Sequence, residues 1–518
     1  MNRTLPVGCA LLALLLAGCD PKPPSPPPAG QDAQVVKAPK GDELHRKRLE
    51  RGMNSAFVFN PHNITESEQR ALIFDLYTGL VRLNAQGELE AALASHWQAL
   101  SPTVWQFHLR EDAQWSNGQP LTAQDIVRSW WQLALSDSPL KDYLRYLHLA
   151  NIDEVLAKKV GVESLGVQAM DDRTLQLTLS EPVPFLPKLL AHVALLPVFD
   201  AQTQGESDAD VLVSNGAYRL KSHNSQTALL EKNAHYFDAA KVAFEQVRYH
   251  QGADDTLDIA PSDAPNGEAG TLLALPQLCT YYYEFNFRHP RLQQQAVRQA
   301  IDAMVAQNDL LPKSAVGLRV NTKFLPHNLQ TDAQSQGWSA VVPEQQLAAA
   351  GVSREKPLKL RLIYDNTGVH PAVAQQLVRM LSQSDLIYVQ SEMVTTEQLL
   401  TRRNQGDFDL IRSGWCADFY DPAAFFDPLY SHSPNNKMGI QDAAIDNVLK
   451  AIYQPNTTEA ERRALYDKLA GVVDDKQVVL PLFQAYRYLR VRESVQGISA
   501  DYRLGYLPSE HLYRKVAH

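Results

Sequence analysis

The stretch "TVWQFHLREDAQWSNGQPLTAQDIVRSWWQLA", Thr103 to Ala134, holds the alternation from which the fold class is read. In "VWQFHLR" apolar and polar residues alternate with a period of two, which predicts a half-buried strand. Ser116-Asn117-Gly118 is a turn signal. Thr122 then precedes "AQDIVRSWWQLA", and Asp125 three residues on completes a capping box, so a helix starts there. The switch recurs outward along the chain. "DDRTLQLTLSEPVPF" (171–185) reads as turn, strand and proline stop. "SNGAYRLKSHNSQTALLEKNAHYF" (214–237) reads as two strands joined by a polar turn. "KPLKLRLIYDN" (356–366) is a strand, and "PAVAQQLVRMLSQS" (371–384) has the three-and-four spacing of a helix. No internal repeat is visible. The expected class is α/β with mixed sheets, built from strands far apart in the chain.

The chain has 518 residues, too many for one simple core, and two or three domains are expected. Its 45% apolar and 21% charged residues are ordinary for a globular protein. A net charge of −9 argues against nucleic acid, which needs a basic face.

There are four cysteines, and their places matter. After Arg3, the run Val7–Ala17 is too short to span a bilayer and reads as the core of an export signal. It ends "LAGC", Leu16 to Cys19, which resembles a bacterial lipoprotein signal. That resemblance implies removal of residues 1–18 and lipid on Cys19; an uncleaved signal anchor is the alternative. Residues 19–40 hold Pro21, Pro23, Pro24, Pro26, Pro27 and Pro28, an extended tether. Asp20 resembles the signal that keeps such proteins on the inner membrane. A periplasmic, lipid-anchored protein is expected. Cys9 would leave with the signal, so Cys279 and Cys416 remain. In an oxidising compartment such a pair favours a disulfide, for which chain entropy sets an upper limit of about 5 kcal/mol. Two free buried thiols are the alternative.

The chain carries no G-x-S-x-G, P-loop, G-x-G-x-x-G or H-E-x-x-H. Its 15 histidines lack metal-ligand spacing. The sequence therefore predicts no enzyme, no cofactor and no metal, but a tethered binding protein.

Two further stretches say more. "LCTYYYEFNF" (278–287) and "GDFDLIRSGWCADFYDPAAFF" (406–426) closely resemble the periplasmic oligopeptide-binding proteins of ABC importers, within extracellular solute-binding protein family five. "NPHNITESEQRALIFDLYTGL", "LHLANIDEVLA", "SNGAYRL" and "FDAAKVAFEQVRY" resemble it too, in order, from about Phe57 to the C-terminus. The resemblance implies a two-lobed, three-domain fold with a hinge. Domain I would be discontinuous (41–81, 198–278 and 487–518), domain II would be 82–197, and domain III would be 279–486. The implied partners are a short peptide and the permease subunits of an ABC transporter, with the receptor a monomer. It also implies that Cys279 and Cys416 are bridged.

The physics of engulfing a peptide explains the residues the resemblance selects. A buried charge costs several kcal/mol unless it is paired. The peptide's ammonium needs a fixed anion, and the resemblance assigns that to Asp418, a contact of roughly 1.5–3 kcal/mol. Gly414, Trp415 and Cys416 match positions that meet the peptide backbone as an added strand. Arg412, Arg403 and His370 match positions that meet peptide carboxylates. Arg412 lies among apolar residues, which suggests a pocket or an ion pair; Arg403 could equally sit in a solvated loop, and His370 could cap the next helix. Tyr282 matches a position near the ligand, although a core tyrosine is an equal reading. In the segment that closes over the peptide, Thr65 stands where the family has a glutamate, with Glu66 one place on.

Two departures put general oligopeptide specificity in doubt. Thr396 replaces a pocket-wall tryptophan, and the stretch 251–278 is short, with Pro261 and Ser262 where tyrosine and asparagine are usual. A narrower ligand such as a cell-wall peptide, a non-peptide solute (metal chelate, haem, bile acid), or a sensor or chaperone role is the alternative.

Overall fold

The computed structural model describes residues 47–199, 212–262, 271–312, 315–330 and 341–515. Cys19, Asp20 and the proline-rich tether lie outside the described residues, as does part of the short stretch before Thr271.

An 11-stranded mixed sheet organises the fold. Across it the strands run Ile387–Val394, Leu358–Asp365, Leu410–Cys416, Thr271–Phe285, Val479–Val491, Ile259–Ser262, Arg48–Met53, Gln246–Gln251, Thr227–Lys232 and Tyr218–His223. Leu318–Val320 pairs with Val479–Val491 off this path. Leu358–Asp365 is parallel to both its neighbours, and the helix His370–Leu381 makes one crossover. That helix buries Val373, Ala374, Leu377, Met380 and Leu381, the face its spacing predicts. Tyr218–His223 and Thr227–Lys232 form the expected hairpin.

The opening stretch belongs to a separate four-stranded antiparallel sheet, with strands in the order Ala94–Ser101, Val104–Leu109, Thr174–Thr178 and Val167–Ala169. Gly118 adopts φ +84°, which the tight turn requires. The helix Ala123–Leu135 follows, and Asp125 accepts the Thr122 amide at 2.8 Å and its hydroxyl at 2.9 Å. It buries Ile126, Val127, Trp130 and Leu133.

Three large cores result. One draws on residues 49–77, 193–259 and 489–512, together with Leu275. A second draws on residues 80–195 and 419–479, together with Tyr282 and Phe324. The third fills 281–483 around Tyr281, Tyr283, Phe285 and the helices beside them. The two long strands pass between cores. Leu275 is in the first and Tyr281 in the third; Leu489 is in the first and Phe483 in the third. Their ladder slips register between Pro276 and Thr280. A slipped ladder leaves backbone groups that need other partners. Buried Gln484 supplies one, donating to the Gln277 carbonyl at 2.9 Å.

Candidate functional site

The strand Leu410–Cys416 lies antiparallel to Thr271–Phe285, with Cys416 directly opposite Cys279. The two are joined by a disulfide across 137 sequence positions, with Cα atoms 4.0 Å apart. Gly414 faces Tyr281, and a Cβ there would stand 2.6 Å from the Thr280 carbonyl oxygen. A side chain at that position would push the two strands apart. On its other edge the strand pairs with Leu358–Asp365 only at Leu410 and Ile411. From Arg412 to Cys416 that edge makes no ladder pairing among the described residues, although Asp365, the last residue of the neighbouring strand, meets the Arg412 side chain.

Just past this strand the chain turns out, and the Asp418 carboxylate is exposed. The Tyr146 hydroxyl donates to Asp418 Oδ2 at 2.7 Å. Burial, and then Asp418, push the Tyr146 phenol well above its ordinary value, so it stays a donor. Asp418 and Arg70 line one pocket of about 60 Å³, with His192, Gln277, Tyr420 and Tyr506. That is room for a few waters, well short of a peptide site. His192 is held neutral by burial and by the nearby Arg70 charge, both of which push its pKa well below the ordinary range. Its Nδ1 accepts the Ala194 amide at 3.2 Å, and its ring stacks 3.8 Å from Tyr143.

The three side chains expected to meet a carboxylate are already paired inside the protein. Arg403, on the helix Thr396–Gln405, grips Glu284. The Ser413 hydroxyl also donates to Glu284 at 3.0 Å. Arg412 meets Asp365 Oδ1 through Nε at 2.8 Å and Nη2 at 2.6 Å. His370, the first residue of its helix, places Nδ1 2.8 Å from the same oxygen. Burial would raise the Asp365 carboxyl, but the Thr367 hydroxyl and the Arg412 guanidinium outweigh it and hold the pKa down at about 2. Thr396 also donates to Asp365, at 3.4 Å. Arg412 thus resolves as an ion pair, and Arg403 sits on a helix, not in a solvated loop.

Tyr282 is 1% exposed and packs toward Phe324, with ring centroids 6.0 Å apart. Trp415 is partly buried, and its indole Nε1 is buried without a hydrogen-bond partner among the described residues. Glu66 is exposed; Gln69 accepts from the amides of Thr65 and Glu66 and so holds that segment. Cys416 and Gly414 are exposed beside Asp418. The structure therefore gathers Gly414, Cys416 and Asp418 at one place, and Arg403, Arg412 and His370 on buried carboxylates. Sequence reading missed Tyr146, Arg70, Asp365 and Glu284. Glu284 and Asp365 carried a signal, each being the one acid of its strand; Tyr146 and Arg70 carried none.

Residues 88–437 match the description "Bacterial extracellular solute-binding proteins, family 5 Middle". A Haemophilus influenzae protein described as a putative binding protein is 39% identical, over 97% of this chain and 96% of the relative. The periplasmic oligopeptide-binding protein OppA of Escherichia coli is 31% identical, over 94% of this chain and 96% of that protein. Among solved structures, an unliganded open form of the murein tripeptide-binding protein MppA superposes with a TM-score of 0.81 at 26% identity, covering 90% of this chain and 97% of that one. A second MppA structure, from Escherichia coli, reaches 0.60 at 27% identity, covering 90% and 98%. The fold, the mixed sheets and these likenesses agree: the chain belongs to family 5 of the bacterial extracellular solute-binding proteins.

Proposed function

We propose that this chain is a periplasmic receptor that captures short peptides and hands them to the permease of an ABC importer. The observation that carries this reading is the free edge of Arg412–Cys416 running into the exposed Asp418 carboxylate. An extended peptide laid on that edge gains main-chain hydrogen bonds that are blind to side chains. Its ammonium then reaches Asp418, for which no ion pair exists among the described residues. The disulfide beside it holds the strand in place before binding, so less freedom is lost when the peptide arrives. The kinship with OppA and MppA supports a peptide ligand.

Asp418 is read as the amine anchor, with Gly414, Trp415 and Cys416 on the peptide backbone and Glu66 nearby; Tyr282, buried in a core, supports the strand from behind and does not meet the ligand. Arg403, Arg412 and His370 meet the peptide carboxylate only by sharing or leaving Glu284 and Asp365. Domain I (41–81, 198–278, 487–518) and domain II (82–197) form one lobe, and domain III (279–486) the other. The register slip at Pro276–Thr280 supports a hinge where the two long strands change cores. The better match to the open MppA form supports an unclosed state, which accounts for a pocket too small for a peptide. Lipid on Cys19, inner-membrane retention by Asp20 and a monomeric state complete the reading.

Native mass spectrometry of the protein purified from cells, followed by denaturation, tests it. Co-purified peptides of two to five residues are expected, and they are lost in Asp418→Ala. A non-peptide ligand unaffected by that substitution overturns the reading.

A further inference from the structure

Among the described residues, Arg70 is a cation without a counter-ion in contact. Its Nε is buried with no partner, and its guanidinium has no hydrogen bond or ion pair among the described residues. A guanidinium stays protonated and offers five donors, so leaving them unused in a partly buried place is costly. Burial drags its pKa down, and the acid that acts on it is Asp418, across the same pocket. Tyr506 and Tyr143 also face it but are neutral phenols.

The neighbours do not supply the missing anion. Lys188 lines the pocket, but Asp421 at 3.1 Å and Glu459 at 2.9 Å neutralise it. His192 is neutral. Arg487, whose guanidinium meets the Ser67 hydroxyl, adds a second positive charge near Arg70. Glu68, the acid that acts most on Arg487, is occupied by the Asn54 and Ser55 amides and the Ser55 hydroxyl.

On the reading that a ligand ammonium docks at Asp418, the balance worsens. That ammonium takes up the carboxylate's charge and leaves Arg70 facing a net positive pocket. We infer that Arg70 is a specificity residue that receives a ligand carboxylate placed beside the terminal amine. The ligand class is then a peptide whose first residue carries an acid close to its ammonium. Two sources share that chemistry: the side chain of an amino-terminal glutamate or aspartate, and the free α-carboxylate of a γ-linked glutamate. A charge-assisted, two-pronged contact suits a planar guanidinium.

Calorimetric titration of the ligand-stripped full chain with Glu-Ala-Ala, Gln-Ala-Ala and γ-Glu-Ala tests the inference. The wild type is expected to bind at least one acidic probe about tenfold tighter than Gln-Ala-Ala, a difference of about 1.4 kcal/mol. Arg70→Gln erases that preference, read as the ratio of acidic-probe to Gln-Ala-Ala affinity within the same variant; Arg70→Lys keeps part of it. The tighter of Glu-Ala-Ala and γ-Glu-Ala identifies the source of the carboxylate. Equal binding of all three probes by the wild type overturns the inference while leaving the peptide reading intact, whether or not the variants fold. A preference that survives Arg70→Gln, or an equal loss for every probe in that variant, overturns it too. If the folded wild type binds none of them, the peptide reading fails and this inference falls with it.

Discussion

Arg403 holds Glu284 through three N–H···O contacts, two at 3.0 Å from Nε and one at 2.6 Å from Nη2, and the Glu284 side chain is fully buried. The residues are 119 positions apart, one on a helix and one in the long central strand. A buried pair of this kind adds little net stability over an apolar substitute, but breaking it strands a charge. Arg403→Met is therefore expected to destabilise the protein by about 3–5 kcal/mol in urea unfolding. The double variant Arg403→Met with Glu284→Leu recovers most of that loss. A single variant as stable as the wild type would show that Glu284 does not depend on Arg403.

Binding at Asp418 and its neighbour separates two magnitudes. Asp418→Asn keeps the shape and removes the charge, so peptide affinity falls about 10- to 100-fold, from a contact of roughly 1.5–3 kcal/mol. Tyr146→Phe removes only the hydroxyl that positions the carboxylate, and costs less than about tenfold. Calorimetry on both variants checks the order. A Tyr146→Phe loss as large as that of Asp418→Asn would move the anchor away from Asp418.

The disulfide closes a loop of 137 positions, so it constrains the unfolded chain strongly. Replacing Cys279 and Cys416 together by serine is expected to lower stability by about 2–5 kcal/mol. Equilibrium unfolding reads the loss directly. The same variant should bind peptide more weakly, because Asp418 follows a looser strand. Unchanged affinity would mean that the disulfide serves stability alone.

A half-buried acidic pair predicts a pH dependence. Burial pushes the Asp302 carboxyl from 3.8 up to about 6, and the nearby Asp474 adds to the effect. Burial likewise raises Asp474 to about 6, against the Phe324 amide, which donates to it at 3.0 Å. Both folded values exceed the unfolded one, so between about pH 4 and 6 the folded state holds more protons. Their contribution is then most favourable below pH 4 and is lost as pH rises through about 6. Asp302→Asn should raise stability by about 1–2 kcal/mol at pH 8 and leave it unchanged at pH 4. Equal effects at both values would exclude titration as the cause.

Much of the fold was legible because its signals are local. Alternation in 104–110, the Thr122–Asp125 capping box and the spacing of 371–384 each involve residues within one or two turns of each other. Arg412 among apolar neighbours announced a partner, although not which one. Tyr282 shows the limit: the pattern put it on the opposite face from Tyr281 and Tyr283, but only packing placed that face in a core.

The sequence by itself determined the α/β class, the order of elements, the two cysteines available to bridge, and an aspartate just past the second. Tertiary structure alone decided what those groups meet. Tyr146 reaches Asp418 across 272 positions, and Arg412 finds Asp365 across 47. Arg70 comes to line a pocket with Asp418 and, among the described residues, is left without a counter-ion. Such pairings depend on strand register and on how separate cores pack, and these are set by contacts between distant segments that no local pattern encodes.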